Sequence, residues 1–112
     1  MIKREVRLSE EAERDLESLY DYIATHDSIT AAEYVWAALE KTWTSLETLA
    51  ERGNFPKETA EGGDRSYREL HWKPYRIIYR VDPNVVTVYA IVDGRRNIKT
   101  FLRERLPAST QD

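Results

Sequence analysis

Arginines surround the most apolar stretch of the chain, and they are the residues whose type and spacing point to chemistry. The segment PYRIIYRVDPNVVTVYAIVDGRRN, residues 74–97, has a β-forming middle bracketed by Arg76, Arg80, Arg95 and Arg96. A guanidinium group binds a carboxylate or a phosphate through two parallel hydrogen bonds. The spacing therefore predicts an anion-binding surface, and the anion is either an acid of this chain or a group on a partner.

Alternation along a strand decides which of these side chains share a face. Successive residues of a strand point to opposite faces, so the segment YRIIYRV separates into two sets. One set is Tyr75, Ile77, Tyr79 and Val81, and the other is Arg76, Ile78 and Arg80. Arg68 lies on the preceding predicted strand, and Arg95 and Arg96 follow the next one. Neighbouring strands are about 5 Å apart, so these cations repel each other unless an anion lies nearby. The internal candidates for that anion are Glu69, Asp82 and Asp93.

Two helices are predicted before these strands. Residues 2–8 alternate like a short strand, and Ser9 then fits the N-cap of a first helix with an acidic first turn. An apolar stripe at helical spacing runs along this helix until THDSIT interrupts it. Thr30 with Glu33 fits a capping box, which predicts a second helix whose stripe, including Leu49, continues until Gly53.

The second half of the chain is predicted to form a loop, three strands and a short helix. Residues 55–64 are polar with one proline and two glycines, which indicates a loop. Strands follow at residues 66–72, 75–82 and 85–92. The last of these, VVTVYAIV, has almost no polar face, which is typical of a central strand covered on both sides. The apolar side of the final helix consists of Ile98, Phe101 and Leu102.

The predicted order of elements, β-αα-βββ-α, limits the architecture. Two amphipathic helices can bury their stripes against one sheet only in a two-layer α+β arrangement. We therefore expect the N-terminal helical hairpin to pack on one face of an antiparallel-rich sheet, followed by a short C-terminal helix. A chain of 112 residues with 41% hydrophobic content suits one core, so residues 1–112 are predicted to be a single domain.

The charge of the chain is unevenly distributed. The net charge is −3, but residues 1–64 carry 7 basic and 15 acidic side chains, whereas residues 65–112 carry 10 and 5. This asymmetry favours two kinds of partner surface. The chain has no cysteine and no metal or nucleotide motif, so we expect no metal and no other cofactor. Its charged start and short apolar runs predict a cytoplasmic protein without a membrane segment.

Two segments of the chain resemble the RelE/ParE family of type II toxins. LSEEAERDLESLYDYI, residues 8–23, resembles the first helix of that family. YRELHWKPYRIIYRVDPNVVTVYAIVDGRRN, residues 67–97, resembles its sheet and the arginine pair after it. The likeness extends over residues 6–106, and the predicted element order is that of the family. The chain departs from the family at Glu10, where proline is common.

The resemblance implies a small growth-inhibiting toxin that an antitoxin neutralises. The expected antitoxin is ParD-like, a dimeric ribbon-helix-helix protein whose tail is disordered until it binds the toxin. The complex of such a pair commonly represses its own operon. Operator DNA would therefore be reached only through the antitoxin.

The family includes two activities, and the resemblance by itself leaves both open. RelE-like members cut messenger RNA on the ribosome, which requires a base, a cation beside the phosphorane, and an acid that is commonly Tyr or His near the C-terminus. ParE-like members inhibit DNA gyrase by binding it. In the ribonuclease alternative, the catalytic candidates are Glu69, His71, Arg76, Arg80 and Arg96.

The sequence favours the ParE-like alternative, without a catalytic set. No Tyr or His follows Tyr89, and a net charge of −3 is poorly suited to docking on RNA. Contacts with the target or the antitoxin are predicted at Arg68, Arg76, Arg80, Arg95, Arg96, Lys99 and Arg103. A third alternative is a protein of this fold that binds an antitoxin but has lost toxicity.

Overall fold

The computed structural model of the chain describes residues 2–107. A four-stranded sheet has the order β1-β4-β3-β2, and its strands are β1 (Glu5–Leu8), β2 (Arg68–Trp72), β3 (Tyr75–Val81) and β4 (Val85–Asp93). β1 is parallel to β4, and the other two pairings are antiparallel. The predicted antiparallel-rich α+β fold is therefore confirmed.

Two long helices, α1 (Glu10–His26) and α2 (Ile29–Thr44), cover one face of the sheet. The Oγ of Ser9 accepts a hydrogen bond from Ala12 N, which confirms Ser9 as the N-cap of α1. The buried apolar side chains of these helices meet the inner face of β3 and β4 in one core. Leu39 and Leu46, which are 0% exposed, lie at its centre. Among residues 2–107, no helix has the length and hydrophobicity needed to cross a membrane.

A second, smaller core lies on the other face of the sheet. The helix α4 (Ile98–Arg105) packs there through Ile98 and Leu102 against Ile78, Ala90 and neighbouring side chains. The register of β3 and β4 shifts between Ile78 and Tyr79, so Tyr89 is an extra residue in β4. Because both faces are covered, β4 is the central strand that its apolar composition predicts.

Several predicted boundaries are wrong, and local hydrogen bonds explain the larger differences. Ser28, not Thr30, caps α2, because Ser28 Oγ accepts from Ala31 N. That helix ends at Thr44 and continues as a 3-10 turn at Ser45–Glu47, well before the glycine that the stripe suggested. Leu49, assigned to the buried stripe, is 52% exposed.

The remaining differences concern short segments. The predicted loop at residues 55–64 contains a helical turn, α3 (Lys57–Ala60), which begins after Pro56. Proline there has no N–H to lose and has a backbone angle suited to a helix start. The first strand starts at Glu5, not at residue 2, and β2 starts at Arg68, not at residue 66.

Candidate functional site

A buried cluster of charges joins β2, β3 and α3. Arg76 donates to both carboxylate oxygens of Glu58, at 2.9 and 2.8 Å, and to Oε1 of Glu69 at 2.6 Å. The three side chains are 13%, 11% and 5% exposed, respectively. The hydrogen bonds that Arg76 donates to Glu58 lower the pKa of Glu58 and raise the pKa of Arg76. We call these residues the Arg76 ion cluster.

The pairing of β2 with β3 creates this arrangement. Glu69 lies opposite Ile78 and His71 lies opposite Arg76, so all four side chains occupy the same face of the sheet. A helical turn, α3, then supplies Glu58 from the neighbouring connection. Asn54 Nδ2 donates to Oε2 of Glu69 at 2.9 Å, which satisfies the second carboxylate oxygen.

Three of the five ribonuclease candidates line one open groove of about 600 Å³. They are Glu69, His71 and Arg76, and His71 Nε2 lies 3.3 Å from Oε1 of Glu69. Arg80 and Arg96 do not line this groove. Two of these candidates, Glu69 and Arg76, are hydrogen-bonded to each other. Because Glu58 is bonded to Arg76 as well, two carboxylates already neutralise this guanidinium.

Arg80 and Arg95 also have acids of this chain as partners. Arg95 forms a two-bond pair with Asp93, at 2.9 and 2.6 Å, and this pair holds the pKa of Asp93 at about 2. The Arg95 side chain is 78% exposed, so its pair lies at the surface. The Nε of Arg80 lies 3.5 Å from Oδ2 of Asp82. For Arg76, Arg80 and Arg95, the anion is therefore an acid of this chain.

Within residues 2–107, four of the predicted binding cations have no such partner: Arg68 lies on β2, and the other three lie on or just before α4. Arg96, Lys99 and Arg103 are exposed, and no carboxylate of residues 2–107 lies within 4.0 Å of their charged nitrogens. Lys99 and Arg103 lie one turn apart on α4 and line a cavity of about 280 Å³. Arg96 precedes the helix and lies 4.9 Å from the centroid of the Phe101 ring. We call these three residues the α4 basic surface.

A bridge from α1 holds α4 against the sheet. Arg105 forms two hydrogen bonds with Asp15, at 2.7 and 3.0 Å, and the hydrogen bond raises the pKa of Arg105. Asp15 also accepts from Ile91 N, and Arg105 donates to Tyr89 O. β1 ends opposite Val88, so these two side chains satisfy the edge of β4 where β1 no longer covers it.

Sequence reasoning missed Glu58, Asp15 and Arg105 as residues that organise this region. Glu58 lies in the segment predicted to be a loop, and Asp15 is separated from Arg105 by 90 positions. The available signal for Glu58 was its place just after proline, where a helical turn can start. Among the described residues, no group of three or more His, Cys, Asp or Glu side chains could hold a metal ion.

Comparison with solved structures defines the class of fold. A chain of the chromosomal ParDE TA system from P. aeruginosa superposes with a TM-score of 0.68 and 16% identity, over 81% of this chain and 96% of that one. A chain of the RelBE2 toxin-antitoxin complex from Mycobacterium tuberculosis gives 0.56 and 20%, over 83% and 93%. The fold is therefore that of the RelE/ParE-like toxins.

The sequence identifies the family within that class. The family model described as ParE toxin of type II toxin-antitoxin system, parDE, matches residues 6–98. The chain belongs to this ParE toxin family of type II toxin-antitoxin systems, as its resemblance predicted. A search of curated proteins finds no significant match.

Proposed function

We propose that this ParE-family toxin inhibits DNA gyrase by binding to it and that it has no catalytic activity of its own. The observation that carries the proposal is the state of Arg76. Arg76 is the one arginine among the three ribonuclease candidates that line the groove, and two hydrogen-bonded carboxylates already neutralise its guanidinium. The segment after β4 also contains no Tyr or His to protonate a leaving group.

The α4 basic surface is the contact region that we propose for the target. Its three cations are exposed and lack acidic partners in the described part of the chain, so carboxylates or phosphates of another molecule can bind them. Arg80 and Arg95 can join this contact only if they exchange their weak surface pairs with Asp82 and Asp93. Arg76 contributes to the fold and not to the contact.

An antitoxin is the second partner that we propose. The family match and the ParDE likeness support a ParD-like neutralising protein, of the ribbon-helix-helix class, that brings the pair to operator DNA. Co-expression with the neighbouring reading frame should yield a stable complex and relieve growth inhibition. Failure of every neighbouring small protein to bind the purified toxin would contradict this part of the proposal.

A gyrase assay tests the main proposal directly. Purified toxin should inhibit supercoiling and cause cleaved DNA to accumulate, and the variant Lys99→Glu with Arg103→Glu should do neither. The matched control is Arg7→Glu with Arg14→Glu, which changes charge equally at two exposed surface pairs. Unchanged gyrase activity at excess toxin would contradict the proposal, and the absence of any growth defect would favour the non-toxic alternative.

A ribosome-dependent ribonuclease is the second candidate, because Glu69, His71 and Arg76 line one groove. If the chain is such an enzyme, toxin added to translating ribosomes cuts messenger RNA. His71→Ala then reduces this cutting while the protein stays folded, because the His71 side chain is exposed on β2. We expect no cutting by the unaltered protein. Filamentation with DNA-damage signalling, not immediate arrest of translation, is the expected cellular result.

A further inference from the structure

A second set of arginines surrounds Phe55 at the outer edge of β2. The guanidinium carbons of Arg68 and Arg65 lie 4.4 and 5.1 Å from the centroid of this one ring. Arg52 lies in the adjoining loop, two residues before Asn54, which pairs with the edge of β2. We call Arg52, Arg65 and Arg68 the Phe55 basic cluster.

No acid of the described chain neutralises this cluster. Within residues 2–107, none of its three guanidiniums has a carboxylate oxygen within 4.0 Å. Arg65 and Arg68 contact the same ring, so their charges are within about 10 Å of each other, a distance at which salt screens them only partly. Their mutual repulsion is a cost that a bound anion would remove.

The backbone beneath the cluster is firmly held. Arg68 Nη1 donates to Gly53 O at 2.9 Å and to Glu51 O at 3.2 Å. The buried hydroxyl of Tyr79 accepts from Gly53 N at 3.0 Å and donates to Ala50 O at 2.8 Å. A Cβ at Gly53 would lie 2.5 Å from Glu69 O and from this hydroxyl, so the loop is closely packed. Binding through such a loop costs little conformational entropy.

The guanidiniums keep hydrogen-bond donors available. Stacking on an aromatic ring uses the face of a guanidinium and leaves its N–H edge for a carboxylate or phosphate. Arg68 uses only Nη1 in its bonds to the loop, and the Arg65 side chain makes no hydrogen bond within the described residues. Arg52 Nε donates to Ser45 Oγ, and neither terminal nitrogen of Arg52 donates to another group of residues 2–107.

We propose that the Phe55 basic cluster binds a short acidic segment of a protein partner. A peptide with neighbouring carboxylates can bind two guanidiniums while touching little else of this protein. A nucleic acid is less suitable, because its extended line of phosphates would also meet the exposed acid Glu51 beside the cluster, whereas a short peptide with two or three carboxylates can avoid it. This surface is separate from the α4 basic surface and goes beyond the gyrase contact proposed above.

The location supports an independent site. Arg68 lies opposite Tyr79, whose ring is in the core beneath α1 and α2, whereas α4 packs against the other face of the sheet. One partner could therefore occupy the Phe55 basic cluster while the α4 basic surface is free. Of the three arginines, only Arg68 was among the binding residues that the sequence predicted.

The test uses a fluorescent oligoglutamate peptide and the full-length protein at low salt. We expect saturable binding by fluorescence anisotropy, and Arg65→Gln with Arg68→Gln should weaken it about tenfold, because two exposed charge pairs of about threefold each are lost. The control Arg7→Gln with Arg14→Gln removes the same charge elsewhere and should change the affinity less than about twofold. The variant Lys99→Gln with Arg103→Gln should likewise have little effect.

A single variant separates binding from any disturbance of the loop. Arg65→Gln removes a side chain that makes no hydrogen bond within the described residues. We expect this single change to weaken binding of the peptide about threefold. Equal weakening by all three double variants, unchanged affinity in Arg65→Gln, or no saturable binding would overturn the proposal. So would tighter binding of an oligothymidylate through the same arginines. Neither gyrase nor an antitoxin is present, so the result is independent of the proposed function.

Discussion

Arg76 and the α4 basic surface present the same kind of charge in opposite settings. Arg76 is 13% exposed and is bonded to two acids from two different elements. Arg96, Lys99 and Arg103 are exposed, and no carboxylate of residues 2–107 lies within 4.0 Å of their charged nitrogens. Arginines that are close in sequence to one apolar strand therefore divide into a structural group and a group that is available to a partner.

Burial explains the division. A charge that leaves water loses several kcal/mol of hydration, so it is tolerated only with a close and well-hydrogen-bonded counter-charge. A surface cation loses little hydration, and a surface ion pair contributes about 0–1 kcal/mol. Arg95 is the intermediate case, because its geometry with Asp93 is good but its side chain is 78% exposed. The presence of a partner acid alone therefore does not make an arginine structural.

The largest expected effect comes from Arg76→Met. This change leaves Glu58 and Glu69 without their common cation, and we expect the free energy of unfolding to fall by about 3–5 kcal/mol. Urea unfolding followed by circular dichroism measures it. The triple variant Arg76→Met, Glu58→Gln, Glu69→Gln removes all the charge and should recover much of the loss. A loss below about 1 kcal/mol in Arg76→Met would mean that the cluster is not structural.

A somewhat smaller loss is expected for Arg105→Ala. It leaves Asp15 unpaired and the carbonyl of Tyr89 without its donor, so unfolding should become easier by about 2–4 kcal/mol. Amide exchange at Ile91, Ile98 and Leu102 should accelerate, because α4 loses its bridge to α1. In Arg103→Ala, on the same helix but exposed, these amides should exchange as in the unaltered protein. Equal exchange in the two variants would refute the bridge.

Lowering the pH should reduce the difference in stability between the unaltered protein and Arg76→Met. The pKa of Glu58 is lowered in the folded state from its usual 4.5, so its contribution is fully present above that pH and is lost as the pH falls through the folded pKa. In Arg76→Met, Glu58 has lost this stabilisation of its charged form, so acid removes no such contribution from the variant. Melting temperatures of both proteins between about pH 6 and pH 3 should therefore converge. A difference in melting temperature that stays the same over this pH range would contradict the stabilising role of the charged Glu58.

The smallest effect on stability is expected on the α4 basic surface. Replacing Lys99 and Arg103 by glutamine should change the free energy of unfolding by less than about 0.5 kcal/mol, since neither residue has an ion-pair partner in the described structure. Urea unfolding under the same conditions measures this change. A loss of unfolding free energy as large as that of Arg105→Ala would show that Lys99 and Arg103 stabilise the fold. The contrast between Arg76 and the α4 basic surface would then be wrong.

Local sequence patterns predicted the helices, the strands and their faces better than the ionic contacts. Period-two alternation placed Arg76 and Arg80 on the face opposite Tyr79, and the absence of a polar face identified β4 as central. The start of α2 was missed because Ser28 and Thr30 are both good caps two positions apart, and hydrogen bonding selected Ser28. Repeats of apolar residues also could not show that α2 tightens into a 3-10 turn at Ser45–Glu47.

Ion pairs between residues far apart in the chain could not be predicted from the sequence, because they depend on the tertiary arrangement. The sequence offered Glu69 as one of three possible internal anions, but Glu58 comes from a turn whose position depends on the whole loop. The pair of Asp15 and Arg105 likewise depends on how α1 and α4 meet at the edge of β4. Which arginines are free for a partner follows only from these contacts.

The central claim is that the cations of α4 bind a partner whereas Arg76 only supports the fold. The most direct measurement is the affinity of purified gyrase for three folded toxins: the unaltered protein, Lys99→Glu with Arg103→Glu, and the charge-free triple variant of the Arg76 ion cluster. We predict that binding is lost in the α4 variant and kept in the triple variant. Loss of binding in the triple variant with full binding by the α4 variant would contradict the account.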